Sequence, residues 1–155
     1  MKTKIVKEKS TYYKGRYLTW YYRYSLMSEN GELLSSIDVE EETLSDKVEY
    51  ISEYKDKKVL YLTSFRTVSQ FRNQGYGKYL LEKILNRFKG KYELIHLNAC
   101  PYYEIPFNVK YKAPENGLQI RDLVKFYECF GFKKHYIKRC DDHIEIIMLL
   151  ESKKG

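Results

Sequence analysis

The chain is poor in residues that staple a fold or bind a metal. Its 155 residues include three cysteines, Cys100, Cys129 and Cys140. They are odd in number and lack C-x-x-C pairing, which excludes a disulfide framework and predicts reduced thiols with no metal site. No apolar run reaches the roughly 18 residues of a membrane-spanning helix, and no apolar stretch follows the basic N-terminus as in a secretory signal. These absences predict a cytoplasmic protein with no membrane partner. Proline is also scarce, and Pro101, Pro106 and Pro114 all fall in one stretch. A connection of that length without regular structure is uncommon in a compact domain and tends to be functional. There is no G-x-x-x-x-G-K-[S/T], which argues against a nucleoside triphosphatase, and no third glycine at dinucleotide-binding spacing.

Basic charge and tyrosine are plentiful. Lys and Arg number 28 against 21 Asp and Glu, for a net +7, and there are 17 tyrosines. Basic residues interleaved with aromatics suit stacking on nucleic acid, and they equally suit tyrosines on half-buried strands. Composition leaves both open. The length predicts one domain over 1–155. Charge is segregated along it: 1–24 carries +6 and six of the tyrosines, 25–54 carries −8, and 55–155 carries +9. No linker separates these blocks, so they read as faces of one domain.

From Tyr17 to Met27 the set Leu18, Trp20, Tyr22, Tyr24 and Leu26 alternates, predicting a strand with one buried face. Glu29-Asn30-Gly31-Glu32 predicts a hairpin turn, because Asn-Gly accepts the positive φ of tight turns. A second strand over Leu33–Val39 completes the hairpin. Residues 40–55 are acidic and weakly helical, with Leu44, Val48 and Ile51 in phase. Lys57–Thr67 predicts a strand apolar on both faces and therefore central. Leu80, Leu81, Ile84, Leu85 and Phe88 recur at helical spacing from Gly77 onward, and Gly90 is a natural stop. A strand over Tyr92–Ala99, a helix over Ile120–Phe130 bounded by Gly117 and Gly131, and a strand over His143–Leu150 follow. The order predicts an α/β fold.

Between the central strand and its helix lies Phe71-Arg72-Asn73-Gln74-Gly75-Tyr76-Gly77. Glycines here let the backbone curl and aim several N–H groups at one point, at the positive end of the helix. A phosphate is the expected guest; the alternative is that the glycines serve only a tight turn.

The run TVSQFRNQGYGKYLLEKIL, followed further along by LVKFYECFGFK, resembles the GNAT superfamily of acyl-CoA-dependent N-acetyltransferases. There R/Q-x-x-G-x-G/A opens the helix after the central strand, matching Arg72-x-x-Gly75-x-Gly77. A later helix carries Phe/Tyr-Tyr and ends in Gly-Phe, matching Phe126-Tyr127 and Gly131-Phe132. The resemblance covers residues 57–150, and the first 56 residues carry no motif that aligns.

The resemblance implies a single α/β (α+β) domain with a mixed central sheet, helices on both faces, and a splayed pair of parallel strands ending near Thr67 and Ala99. Residues 57–150 would form the cofactor-binding core and 1–56 the acceptor side. It further implies that backbone N–H groups of Arg72, Asn73, Gln74, Gly75, Tyr76, Gly77 and Lys78 hold the pyrophosphate of acetyl-CoA. The strand end, Phe65, Arg66, Thr67 and Val68, would pair with the pantetheine arm, with the Val68 N–H polarising the thioester carbonyl. Tyr127 matches the tyrosine that protonates the departing thiolate: a phenol of pKa ~10 suits a thiol of pKa ~8.5. Its alternative is a core tyrosine. Asn98 either bonds the cofactor amide or a water, or merely ends its strand. Arg72, Lys78, Lys110 and Lys112 are candidates for the phosphate charges.

A general base is not evident, since the central strand holds no carboxylate. Glu104 in the proline-bearing loop, His96 or water could take the proton, and His96 can equally be a structural strand residue. Cys100 lies near the implied cleft without an activating partner. The resemblance implies acetyl transfer to a primary amine of a small molecule or protein by direct attack. Acetylation of an RNA-linked acceptor such as aminoacyl-tRNA, or an inactive binding module, are the alternatives. The oligomeric state stays open, a homodimer included, and the +6 block lies outside the recognisable module.

Overall fold

A computed structural model of the chain describes residues 2–14, 16–42, 57–99, 120–139 and 144–151. Seven strands form one sheet: β1 Thr3–Lys14, β2 Tyr17–Ser28, β3 Leu33–Glu42, β4 Val59–Thr67, β5 Leu94–Ala99, β6 Lys133–Arg139 and β7 Ile144–Glu151. Two helices complete the described elements, α1 Tyr76–Phe88 and α2 Ile120–Glu128. The spatial order is β1-β2-β3-β4-β5-β7-β6, and β4–β5 is the parallel pair in an otherwise antiparallel sheet. The chain is therefore a single α/β domain with a mixed sheet, and β4 is central as its two apolar faces require.

The turn at Asn30-Gly31 forms as its chemistry demands. Gly31 sits at φ 83, and the Ser28 carbonyl and hydroxyl accept from the N–H groups of Gly31 and Glu32. Three strands differ from the sequence expectation. β1 was not foreseen, because Lys, Glu and Ser occupy both of its alternating phases. That composition is typical of an edge strand, where charge discourages pairing with another chain. β6, equally polar and the opposite edge, escaped for the same reason. The strand expected over Leu33–Val39 runs on through Glu40, Glu41 and Glu42, whose backbones pair with Tyr61, Leu60 and Val59. Sheet pairing outweighs the weak helical tendency there; the rest of that segment, 43–56, lies outside the described residues, as does 100–119.

The face expected to be buried along β2 is buried only in part. Tyr24 and Leu26 are enclosed, while Leu18 and Trp20 remain 49% and 53% exposed. The reason is register: β3 pairs with β2 from Tyr22 to Met27 only, so the outer part of the β1–β2 hairpin projects beyond its neighbour.

The main core joins Leu60 and Leu62 of β4, Ile95, Leu97 and Ala99 of β5 and Met148 of β7 to Leu80, Leu81, Ile84 and Phe88 of α1 and Val124 and Tyr127 of α2. Both described helices thus cover the same face. The opposite face carries a smaller cluster, Val59, Tyr61, Leu94 and Leu149. Gly90 at φ 79 and Gly131 at φ 98 follow the two helices, and after Gly131 the chain tucks Phe132 into the core. No described helix is long and apolar enough to cross a membrane.

At the far end of α1, Tyr92 is buried against Phe88, with ring centroids 5.7 Å apart. Desolvation, then the nearby Glu41 carboxylate, pushes its phenol up to about 12. In the unfolded chain this group ionises near 10, so between pH ~10 and ~12 the unfolded state sheds its proton first and the fold loses stability. The expected loss is on the order of 2–3 kcal/mol by pH ~12. Urea denaturation of Tyr92→Phe across this range should show a shallower decline than wild type; parallel curves would show that Tyr92 is not the group responsible.

Candidate active site

The site begins where β4 leaves β5. Their pairing runs from Val59↔Leu94 to Leu62↔Leu97 and stops, although β4 continues for five residues and stays paired to β3 through Ser35↔Thr67. At the same place the β3–β4 register slips: Asp38 opposes Ser64 and Val39 opposes Leu62, leaving Thr63 as the extra residue of a bulge. Bulges bend a strand and increase its twist. The Thr63 hydroxyl donates to the Asp38 carbonyl at 3.3 Å. This bend opens the splayed parallel pair.

Which backbone groups face that gap follows from one hydrogen bond. The Val68 N–H donates to the Leu34 carbonyl at 3.0 Å, so Val68 is turned toward β3 and is not available for a thioester. The sequence expectation for Val68 is thereby corrected, the reason being the alternation of antiparallel strand edges. Arg66 shares that orientation, and its carbonyl accepts from the Ser35 hydroxyl at 2.8 Å. The intervening Phe65 and Thr67 direct their backbone groups to the opposite edge, away from β3 and into the gap.

A 3₁₀ turn over Ser69–Phe71 and a loop then lead into α1. Arg72 Nε donates to the Thr67 carbonyl at 3.3 Å, tying the loop to the strand end. Asn73 adopts φ 65 and Gly75 φ 84, and the helix opens at Gly75 with no side-chain cap. Its first intrahelical bond runs from the Tyr79 N–H to the Gly75 carbonyl. The N–H groups of Tyr76, Gly77 and Lys78 thus precede any carbonyl one turn back, at the positive end of the helix. A Cβ on Gly75 would meet nothing within 4 Å. This open, N–H-lined cradle suits a phosphate.

The two glycines serve different ends. Gly75 supplies a backbone angle, whereas a Cβ on Gly77 would lie 2.8 Å from Thr67 Oγ1 and 3.2 Å from the Phe65 ring. Gly77 therefore lets α1 press against the end of β4. Phe65 in turn reaches α2, with its ring 6.2 Å from Tyr127 and 6.1 Å from Phe126, both edge-on. One side chain thus links the strand end, the glycine turn and the expected acid. Tyr127 is buried, its ring also against Phe132 at 5.9 Å.

Asn98 is exposed and in phase with Leu94 and His96, so it lies on the sheet face away from the helices. On that face a row of groups crosses three strands. Glu40 of β3 is in register with Tyr61 of β4, and Tyr61 with His96 of β5, whose rings lie 5.1 Å apart. Glu40 and Tyr61 are buried. Sequence inspection missed Glu40, because only cross-strand register brings it beside β4. Asp38, one step nearer the bulge, is held by Arg23 through two bonds, Nε at 2.7 Å and a terminal nitrogen at 3.0 Å. Glu104, Cys100, Lys110 and Lys112 lie outside the described residues. Cys129 is a free, exposed thiol, and no group of metal-ligating side chains gathers among the described residues.

A family model described as the acetyltransferase (GNAT) family matches residues 4–107. The chain belongs to that family. The match takes in the N-terminal strands, which carried no recognisable motif and are nonetheless part of the family domain. No curated protein matches the chain in sequence at a significant level. Among solved structures, a histone acetyltransferase HPA2 and related acetyltransferase from Corynebacterium glutamicum superposes with TM-score 0.59 at 17% identity, over 87% of this chain and 66% of that one. A ribosomal-protein-alanine N-acetyltransferase from Escherichia coli gives 0.55 at 17%, over 87% and 71%. The NatC complex bound to Gag peptide and CoA gives 0.55 at 14%, over 83% and 70%. At such identities the likeness is one of fold, and the chain spans about two thirds of the length of these proteins.

The distinct roles of the two glycines predict distinct defects. Gly75→Ala strains a left-handed residue at a cost of about 1 kcal/mol with α1 still seated on β4. Gly77→Ala overpacks the Phe65–Thr67 contact and costs about 1–3 kcal/mol. Chemical denaturation of both variants checks the order, which an undamaged Gly77→Ala would contradict.

Proposed function

We propose that this chain transfers an acetyl group from acetyl-CoA to a primary amine of a protein or small molecule by direct attack. The observation that carries the reading is the gap between β4 and β5 beside the glycine cradle, with the Phe65 and Thr67 backbone edges turned into it. Acetyl-CoA would supply an acyl group already activated as a thioester. N–H groups from Arg72 through Lys78 hold its pyrophosphate, and the Phe65 and Thr67 edges hold the pantetheine as an added strand. The oxyanion role passes from Val68 to the N–H groups of Phe65 and Thr67, which face the gap.

Tyr127 is the acid. As the amine nitrogen bonds to the carbonyl carbon and the carbon–sulfur bond breaks, the phenol gives its proton to the leaving thiolate. The amine must lose a proton in the same reaction, and Glu40, Tyr61 and His96 lie in a row one residue before the strands part. We assign the base function to this row, with Glu40 its carboxylate. The face bearing it, away from both helices, is where the acceptor would approach.

The RNA-linked acceptor is disfavoured by position. The basic, tyrosine-rich block forms β1 and β2, whose projecting part lies at the Val59 end of β4, opposite Thr67. The inactive module is disfavoured by the joint presence of the cradle, the gap and Tyr127.

Calorimetry should show acetyl-CoA binding in the tens of micromolar or tighter; no binding in that range would sink the proposal. With a panel of amines and peptides, Tyr127→Phe should lower the rate of CoA release by about 10²-fold or more without weakening acetyl-CoA binding. Unchanged rates would return Tyr127 to a purely structural role. Glu40→Gln should remove the acid limb of the pH–rate profile, and a profile identical to wild type would exclude Glu40 as base.

A further inference from the structure

At the opposite end of α1 from the glycine cradle, about 20 Å along the helix axis, lies a cavity of about 320 Å³. It is lined by Lys7, Tyr24, Glu41, Lys58, Arg87, Phe88, Lys91 and Tyr92, contributed by β1, β2, β3, the residue just before β4, the end of α1 and the loop after it. The volume falls at the lower end of the roughly 300–1,000 Å³ usual for small-molecule sites.

Four of the lining residues are cations and one is an acid. No ion pair among the described residues neutralises any of the four. Three rest on aromatic faces instead: Lys7 Nζ lies 5.7 Å and Arg87 Cζ 5.5 Å from the Tyr24 ring centre, and Lys58 Nζ lies 5.0 Å from that of Tyr92. A cation–π contact is worth only about 0.5–1 kcal/mol at such sites. Charge-assisted hydrogen bonds to an anion are stronger. The carbonyl end of α1 opposes an anion with about half a negative charge, and Glu41 adds one more. Four cations outweigh both.

Tyr24 forms the floor of the cavity: it is only 2% exposed, and its hydroxyl is enclosed beyond the reach of a ligand. Tyr92 remains a phenol throughout the physiological range and offers a donor.

We propose that this cavity binds a small phosphorylated molecule, its phosphate held by Arg87, Lys91, Lys58 and Lys7, with the Tyr92 and Phe88 rings flanking its organic part. The site does not depend on the acetyl-transfer reading, since it lies at the other end of the sheet. A cavity that gathers four cations from four separate segments suits a compact ligand better than a polymer tracking along a surface.

The test is calorimetry with pyrophosphate and with adenosine monophosphate. Wild type should bind at least one of them. Arg87→Gln combined with Lys91→Gln should weaken binding at least ~10-fold, or about 1.4 kcal/mol, while Lys83→Gln on the exposed face of α1 should not. Gly75→Ala separates the two anion sites: loss of binding there, with the Arg87/Lys91 pair unaffected, would place the anion at the glycine cradle and overturn the proposal. Lys58→Gln, a single change at an exposed position, guards against misfolding: the ligand-free melting temperature should hold while affinity falls several-fold, and equal affinity counts against the site. Binding of a single-stranded oligonucleotide, with neither small anion saturating, would also overturn the proposal.

Discussion

β4 is held by two neighbours of unequal reach, and most of the domain's organisation follows from that inequality. β3 follows it along its whole length, whereas β5 follows it for four residues. Had both neighbours run the full course, the sheet would be closed and its polar backbone edges spent on one another. The bulge at Thr63 makes the difference tolerable, because it turns β4 while β3 keeps its hydrogen bonds. The glycine turn, Phe65 and Tyr127 are then arranged around a strand end that has already been bent away.

The packing at that end depends on one missing side chain. Gly77 admits α1 to within contact of Phe65 and Thr67, and Phe65 passes the constraint across to α2. Three elements separated in sequence are thereby fixed relative to one another through an aromatic ring with few rotamers. Strain and freedom are divided within a few residues: Asn73 and Gly75 carry the unusual backbone angles, while Gly77 carries the close approach. A substitution series across this loop reports two different physical quantities.

Much of this was legible in the sequence because local chemistry and tertiary context agree. The Asn30-Gly31 turn, the apolar stripe Leu80, Leu81, Ile84 and Phe88, and the glycines flanking α1 all say locally what the fold does globally. What was not legible depends on register. The Val68 N–H turned out to be spent on Leu34, because sequence does not show which edge of β4 faces β3. Glu40 was read as part of an acidic segment with weak helical character, and only its pairing with Tyr61 places it in the site. β1 and β6 were hidden by the charges that make them safe edges. The cation cavity draws its walls from six segments and leaves no contiguous trace.

The outer part of the β1–β2 hairpin has a consequence of its own. Among the described residues, Ser10–Lys14 pair with Tyr17–Tyr21 and neither segment pairs with a third strand, while Tyr24 and Leu26, a few positions on, are enclosed by the main core. A two-stranded ribbon is marginally stable alone in water, so the free energy of local opening must climb steeply along β2 from Trp20 to Leu26. The same strand is held by one neighbour at one end and fixed in the core at the other. The enclosed Tyr24 and Leu26 thus stand between the weakly held outer part of the hairpin and the parted strands.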